Sequence, residues 1–115
     1  MAVFFATQAV VSGLSNPTSL QFGADGRLYV AQQDGLILIY DITQPAPGQW
    51  AAVQVETLSL IKDIPNHDDD GSLNTTLAAR QVTGTLVTGT AANPVIYVTS
   101  SDPRISTSVD LGLDT

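Results

Sequence analysis

Hydrophobic and polar residues alternate in short runs along most of the chain, which indicates β-strands rather than amphipathic helices. The clearest runs lie between residues 16 and 42, where Asp25-Gly26 and Asp34-Gly35 interrupt them. An Asp-Gly pair between two alternating runs is typical of a hairpin turn, because glycine adopts a positive φ at no steric cost. We therefore predict an antiparallel meander with strands at 19–22, 27–31 and 36–40.

Further strands are predicted on both sides of this meander. Residues 53–60 alternate well enough for a fourth strand, after a loop at 43–50 whose two prolines cannot donate to a central ladder. Together with the meander, this strand predicts a four-stranded antiparallel sheet over 18–60. A second loop is predicted at 62–79. Three more strands are predicted, at 82–88, at 95–99 and, in the apolar start of the chain, at 3–11.

A weak internal repeat relates the two strand-rich regions. The run Leu28-Tyr29-Val30 is echoed by Ile96-Tyr97-Val98, each after an apolar pair and a turn. A four-stranded unit that begins again after a loop is typical of β-propeller blades, and a β-sandwich with equally short strands is the alternative. Because a propeller needs several blades, we expect this chain to be the N-terminal part of one longer propeller domain. Blade one would span about 14–61, the loop into blade two 62–79, and the start of blade two 80–104.

Composition and charge narrow the possible functions. Four basic residues against eleven acidic ones give the 115-residue chain a net charge of −7. This balance argues against nucleic-acid binding, which depends on basic side chains, and it would repel an anionic membrane surface. No apolar run is long enough for a membrane-spanning helix, and there is no cysteine for a disulfide or thiolate site. The scarcity of lysine and the many Thr, Ser, Asn and Asp residues favour an extracytoplasmic location.

The segment 65–71, PNHDDDG, carries the densest set of candidate ligands. Oxygen-bearing side chains occupy positions 1, 3 and 5 of a Ca²⁺-loop pattern, with Gly71 at position 6 for the sharp turn. Position 12 is Leu77 instead of the usual glutamate, so the segment is not an EF-hand, and a solvated acidic turn is the alternative. The predicted Ca²⁺ ligands are Asn66, Asp68 and Asp70.

One histidine and two arginines complete the candidate site. His67 is the only histidine, and it is a general base, a Zn²⁺ ligand or a histidine of a surface loop; a zinc site without cysteine would need several acids and is unusual. Arg80 and Arg104 lie at the two ends of the second strand-rich region, and in a propeller such positions gather at the mouth of the central channel. The alternative for them is an intrachain salt bridge, between Arg104 and Asp102 or between Arg80 and an aspartate of 68–70.

Two segments resemble the glucose/sorbosone dehydrogenase family. Residues 13–41 match its opening-blade pattern, Gly-Leu-x-x-Pro-x-x-Leu-x-Phe-x-x-Asp-Gly-x-Leu-Tyr-Val followed by a second Asp-Gly, and 80–104 resemble its second blade. The resemblance implies a six-bladed propeller that oxidises a small sugar with pyrroloquinoline quinone (PQQ), held by Ca²⁺. It also implies that Arg80 and Arg104 clamp a PQQ carboxylate, as paired guanidinium donors can.

The family places its catalytic histidine just before a Gly-x-Leu-Val strand, which corresponds here to 84–87. Gln81 occupies that position, and glutamine cannot act as a base near neutral pH, whereas His67 lies 17 residues before Gly84. Either the base has moved outward along the loop to His67 or this branch has lost it. The resemblance thus implies a PQQ-dependent sugar dehydrogenase, and the alternative is a non-catalytic propeller that binds carbohydrate or protein.

Overall fold

The computed structural model of the chain describes residues 5–68 and 70–104, and it is an antiparallel all-β structure. The predicted fold class is confirmed at this level. The described residues contain a single 3₁₀ turn, Leu60–Asp63, and no helix that is long and apolar enough to cross a membrane. The strands are β1 Pro17–Phe22, β2 Leu28–Gln32, β3 Ile37–Ala46, β4 Gln49–Leu58, β5 Asn66–His67, β6 Leu73–Asn74, β7 Gln81–Gly89 and β8 Pro94–Ser101.

The first four strands form one antiparallel sheet in the order β1-β2-β3-β4, which confirms the predicted meander and its fourth strand. Both Asp-Gly turns are present, with φ of +75° at Gly26 and +89° at Gly35. In each turn the aspartate carboxylate accepts a hydrogen bond from the backbone N–H two residues later, at Arg27 and at Leu36. The turn chemistry that the sequence displays therefore sets the register of the first three strands.

The predicted loop at 43–50 is wrong, because β3 runs to Ala46 and β4 begins at Gln49. Only Pro47 and Gly48 form the turn between them, and Gly48 has a φ of +72°. Pro45 is tolerated in β3 because the pairing with β4 shifts between Thr43 and Ala46, so no ladder hydrogen bond depends on its missing N–H.

The first sheet buries side chains on both faces. Tyr29, Ala31, Ile37 and Ile39 point to one face, where Ile61 and residues of β7 cover them. Val30, Leu38 and Tyr40 point to the other face, where Val11 and Leu14 of the N-terminal segment pack. The alternation of apolar residues along β2 and β3 thus serves two layers: β2 is buried almost throughout, and β3 is buried over its first four residues, 37–40.

The N-terminal segment contains no strand between residues 5 and 16, so the strand predicted at 3–11 is wrong for the residues described; 3 and 4 lie outside them. Its contacts come from side chains instead of a backbone ladder. The Gln8 carboxamide donates to the backbone oxygen of Trp50 at 3.2 Å and accepts from the backbone N–H of Trp50 at 3.0 Å. The Ser15 N–H also donates to Gln32 Oε1 at 2.7 Å, so apolar packing and two carboxamides hold this segment against the sheet.

The second sheet is the β7–β8 hairpin, which packs through β7 against the first sheet. Side chains of β1 reach β7 in the same order along both strands. Thr18 donates to the backbone oxygen of Val82 at 3.0 Å, and the Ser19 and Thr85 hydroxyls lie 3.0 Å apart. The Gln21 carboxamide then bonds to the backbone of Val87 in both directions, at 2.8 Å each. The two strands therefore run in the same direction.

Candidate functional site

Most of the residues singled out from the sequence meet at one end of the two sheets. The end of β2, the start of β7 and the end of β8 lie there, and residues 64–68 and 70–80 lie beside them. We call this set of residues the loop cluster: His67, Asp68, Arg80, Gln81, Asp102 and Arg104. Gln81 connects its members to the β2–β3 turn, since it accepts from Gln33 at 2.9 Å and donates to the backbone oxygen of Asp102 at 3.1 Å.

Arg104 is the centre of the exposed part of the cluster. Its guanidinium forms an ion pair with Asp102, donates to Asp68 Oδ1 at 2.7 Å and donates to the backbone oxygen of His67 at 2.9 Å. The Asp102 side chain is fully buried, and its bond with Arg104 holds the pKa of that carboxyl below its usual value. The same guanidinium, followed by the Asn74 amide, lowers the pKa of Asp68. The predicted Arg104–Asp102 salt bridge is confirmed.

Arg80 is buried, with only 5% of its surface exposed, and it forms the inner part of the cluster. Its Nη1 donates to Asn66 Oδ1 at 2.9 Å, and its Nε donates to Ser100 Oγ at 3.2 Å. Asn66 in turn donates to the backbone oxygens of Leu77 and Ala79, at 3.0 and 2.8 Å. Arg80 and Asn66 therefore fasten the loop to the second sheet. Asp69, one of the acids predicted to pair with Arg80, lies outside the described residues.

His67 belongs to a short hairpin in which β5 pairs with β6, within the segment that was predicted to be a loop throughout. Its backbone oxygen accepts from Arg104, and its side chain is half-buried. Among the described residues, no hydrogen bond engages its imidazole. His67 therefore belongs to the cluster through its backbone oxygen.

The three predicted Ca²⁺ ligands do not present a shared set of free oxygens. Asn66 Oδ1 faces the Arg80 guanidinium, and Asp68 Oδ1 accepts from both Arg104 and Asn74. Asp70 Oδ1 accepts from the backbone N–H and the hydroxyl of Ser72, which lower the pKa of Asp70. In residues 5–68 and 70–104 there is no group of three or more His, Cys, Asp or Glu side chains able to hold a metal ion. These contacts favour a structural role for the three residues, and the Ca²⁺ site stays a prediction.

The two arginines predicted to clamp PQQ are likewise in contact with other residues of the chain. A bidentate clamp requires a guanidinium whose donors face the ligand. The donors of Arg80 face Asn66 and Ser100, and those of Arg104 face Asp102, Asp68 and the His67 backbone. Both arginines are engaged within the chain, so the PQQ contacts also stay a prediction.

In comparisons with known proteins, no family model, no curated protein and no solved structure matches the chain. The resemblance to the glucose/sorbosone dehydrogenases therefore rests on the sequence patterns at 13–41 and 80–104.

Sequence reasoning missed several residues that build the cluster. Gln33 lies next to an Asp-Gly turn, and nothing in its local sequence indicates its bond to Gln81, 48 residues further along the chain. Asn74 was also missed as a partner of Asp68. The spacing Asp102-x-Arg104 was the one local signal, because an acid two residues before an arginine can pair with it in a turn.

Proposed function

We propose that this chain forms the first blade and the start of the second blade of a β-propeller, and that its loop cluster lines the mouth of a carbohydrate-binding site. In a propeller, four-stranded blades surround a central channel, and the first strands of neighbouring blades lie side by side and point the same way. Here β1 is the first strand of the four-stranded sheet, β7 is the first strand of the next sheet, and the two run in the same direction. A four-stranded meander packed in this way on the next sheet favours a propeller over a β-sandwich.

The convergence of polar side chains at one end of both sheets carries the functional part of the proposal. Gln33, Gln81 and Arg104 come from three separate strand ends and lie in one hydrogen-bonded set. Ligand sites commonly combine a preformed concave surface with a few fixed polar groups, and amide, carboxylate and guanidinium groups suit sugar hydroxyls. The likeness to sugar dehydrogenases supplies the ligand class.

Binding without oxidation agrees best with the side-chain contacts. The arginines and the asparagine that would hold a quinone and a cation are engaged with each other or with neighbouring carboxylates and carbonyls. Gln81, at the position of the family's base, has no basic group and bonds to Gln33 and Asp102. The cluster is thus a hydrogen-bonded polar surface whose outer groups, Arg104 and Asp68, remain partly exposed to solvent.

Oxidation of a sugar hydroxyl remains a second candidate because of one observation. The backbone oxygen of His67 bonds to Arg104, and no hydrogen bond engages its imidazole among the described residues, so the ring nitrogens are not committed there, as a general base requires. PQQ, when bound, would supply the hydride acceptor. In that case the base has moved outward along the loop to His67, 17 residues before Gly84.

Saturation-transfer NMR of the complete propeller with a panel of aldoses and sorbosone tests the first candidate. We expect transfer to a sugar in the wild type and its loss in Gln81→Ala, with no effect of the exposed Gln54→Ala, which lies on β4. Dye reduction with added PQQ and Ca²⁺ tests the second candidate. Turnover that requires both and is lost in His67→Ala would establish the dehydrogenase, whereas sugar binding without turnover would establish the binding protein. Absence of both would refute the proposal.

A further inference from the structure

The outer edge of β4 is without a pairing strand among the described residues. The strand has ten residues, and Val53 and Val55 are 57% and 42% exposed. Exposed edges in natural proteins normally carry lysine, proline or a bulge that discourages another strand from pairing with them. Glu56 is the only charged residue of this strand, and the strand's pairing with β3 is irregular at two places, opposite Ile39 and Tyr40 and between Thr43 and Ala46. Between these irregularities the edge at 51–54 is open to a further strand, whereas Gln8 bonds the backbone of Trp50.

The Gln8 carboxamide shows which backbone groups this edge offers. It bonds to both the N–H and the carbonyl of Trp50, so these two groups point away from β3. In an antiparallel pair, residues alternate between those that bond to the partner strand and those that face away from it. The N–H and carbonyl groups of Ala52 and Gln54 consequently face outward as well, and the described residues provide no strand to receive them.

We propose that β4 pairs with β4 of a second copy of this chain, antiparallel and with the two-fold axis at Ala52. Ala52 then exchanges both backbone hydrogen bonds with its counterpart, and Trp50 lies opposite Gln54 of the other copy. A two-fold axis makes such an edge self-complementary and closes the assembly at a dimer. The pairing extends two four-stranded sheets into one of eight strands.

Charge and register favour this occupant over an unrelated strand. With the axis at Ala52, Glu56 lies opposite Gly48 of the other copy, so the only charge on the strand meets no like charge. Val53 lies opposite Ala51, which places one small and one β-branched side chain together on the exposed face. The pairing is also compatible with a propeller, because β4 is the strand of its sheet furthest from β1 and would lie at the rim of the ring.

Sedimentation equilibrium of the 115-residue chain, over a range of concentrations, measures the pairing directly. We expect a reversible monomer–dimer equilibrium that strengthens when salt is raised from about 0.15 to 0.5 M, because screening reduces the repulsion between two chains of charge −7. Ala52→Pro removes an N–H that faces away from β3, so the intramolecular ladder is kept and the two bonds across the axis are lost. Dimerisation should weaken by about tenfold or more.

Two further variants make the test decisive. Val53→Lys places a charge at the paired edge and should weaken the dimer without a proline in the strand, whereas Leu86→Lys, on the exposed face of the β7–β8 hairpin, should leave it unchanged. Gln8→Ala frees the backbone of Trp50 and should strengthen the dimer. A monomer at every concentration, or a dimer that Leu86→Lys abolishes and Ala52→Pro does not, would overturn the proposal. Circular dichroism confirms that each variant is folded.

Discussion

The Gln21 carboxamide is the most specific connection between the two sheets, and its removal should be costly. Its Nε2 donates to the carbonyl of Val87 and its Oε1 accepts from the N–H of Val87, at 2.8 Å each. Val87 is only 6% exposed, so water reaches these backbone groups poorly. In Gln21→Ala both groups lose their partner on the edge of β7 that faces β1.

The expected loss in the free energy of unfolding follows from the two hydrogen bonds and from the conformational entropy of the glutamine side chain. Two hydrogen bonds contribute about 2 kcal/mol net, and leaving a buried backbone group unsatisfied costs a further 1–3 kcal/mol, roughly. Releasing the glutamine side chain returns about 1.5 kcal/mol of conformational entropy. We expect Gln21→Ala to lower the free energy of unfolding by about 2 kcal/mol, which corresponds to roughly 8 °C in Tm for a chain of this size.

Urea unfolding followed by circular dichroism measures this loss, with Gln54→Ala as the matched control. Gln54 is exposed and bonds only to the Thr57 hydroxyl, so its removal should change stability by less than about 0.5 kcal/mol. Gln21→Glu tests the two hydrogen bonds separately, since a carboxylate accepts from the Val87 N–H but cannot donate to the Val87 carbonyl. That variant should recover stability as its carboxyl becomes protonated near pH 4. Equal effects of Gln21→Ala and Gln54→Ala would refute the reasoning.

Three further predictions concern a turn, a buried phenol and the loop cluster. Gly35→Ala should lower stability by about 3 kcal/mol in thermal unfolding, because φ is +89° and a Cβ would lie 2.6 Å from the backbone oxygen of Arg80. Burial, followed by the bond to Asp25, raises the pKa of Tyr29 to about 12. Since the folded state then retains a proton that the unfolded state has lost, stability should fall by about 2 kcal/mol as pH rises from 10 to 12, and Tyr29→Phe should abolish this loss. Arg104→Met should speed amide hydrogen exchange in residues 66–74 by about tenfold, because the cluster then holds that hairpin less firmly.

Each of these predictions has its own control. Gly48 has a φ of +72° but open space around its Cβ position, so Gly48→Ala should cost clearly less than Gly35→Ala; equal costs would assign the effect to φ alone. A base-dependent loss that persists in Tyr29→Phe would place its origin at another group. In Arg104→Met the amides of β2 and β3 should exchange as in the wild type, and faster exchange there would indicate general unfolding instead of loosening of the loop.

The parts of the fold predictable from the sequence are those that local chemistry determines. Asp25-Gly26 and Asp34-Gly35 form turns because carboxylate, backbone N–H and permissive glycine are neighbours in the chain. The strand predicted at 3–11 is absent from residues 5–11, where Val11 packs on a sheet face that only the folded meander creates. Pro45 was taken as a break in pairing, but an interruption of the ladder at that point removes the conflict.

The contacts of the candidate site were likewise predictable only where they join near neighbours in the chain. Arg104 and Asp102 are two residues apart, and their salt bridge was foreseeable from that spacing. The pairing of Asn66 with Arg80 depends on how a 14-residue separation folds back on itself, and an asparagine in an acidic run indicates a ligand as readily as it indicates a structural contact. Local spacing therefore predicts the Arg104–Asp102 pair, whereas the contact between Asn66 and Arg80 depends on the folded chain.

Side-chain hydrogen bonds follow one another along β1 and β7, which run in the same direction. The resistance of this contact to an applied force should therefore depend on the direction of the force. A force along the strands loads the bonds of Thr18, Ser19 and Gln21 together, whereas a force that lifts one end breaks them one after another. Neither force opens a backbone ladder, because each sheet keeps its own pairs. The joint between the two sheets should therefore resist shear and yield to peeling, and each sheet should survive the separation with its register intact.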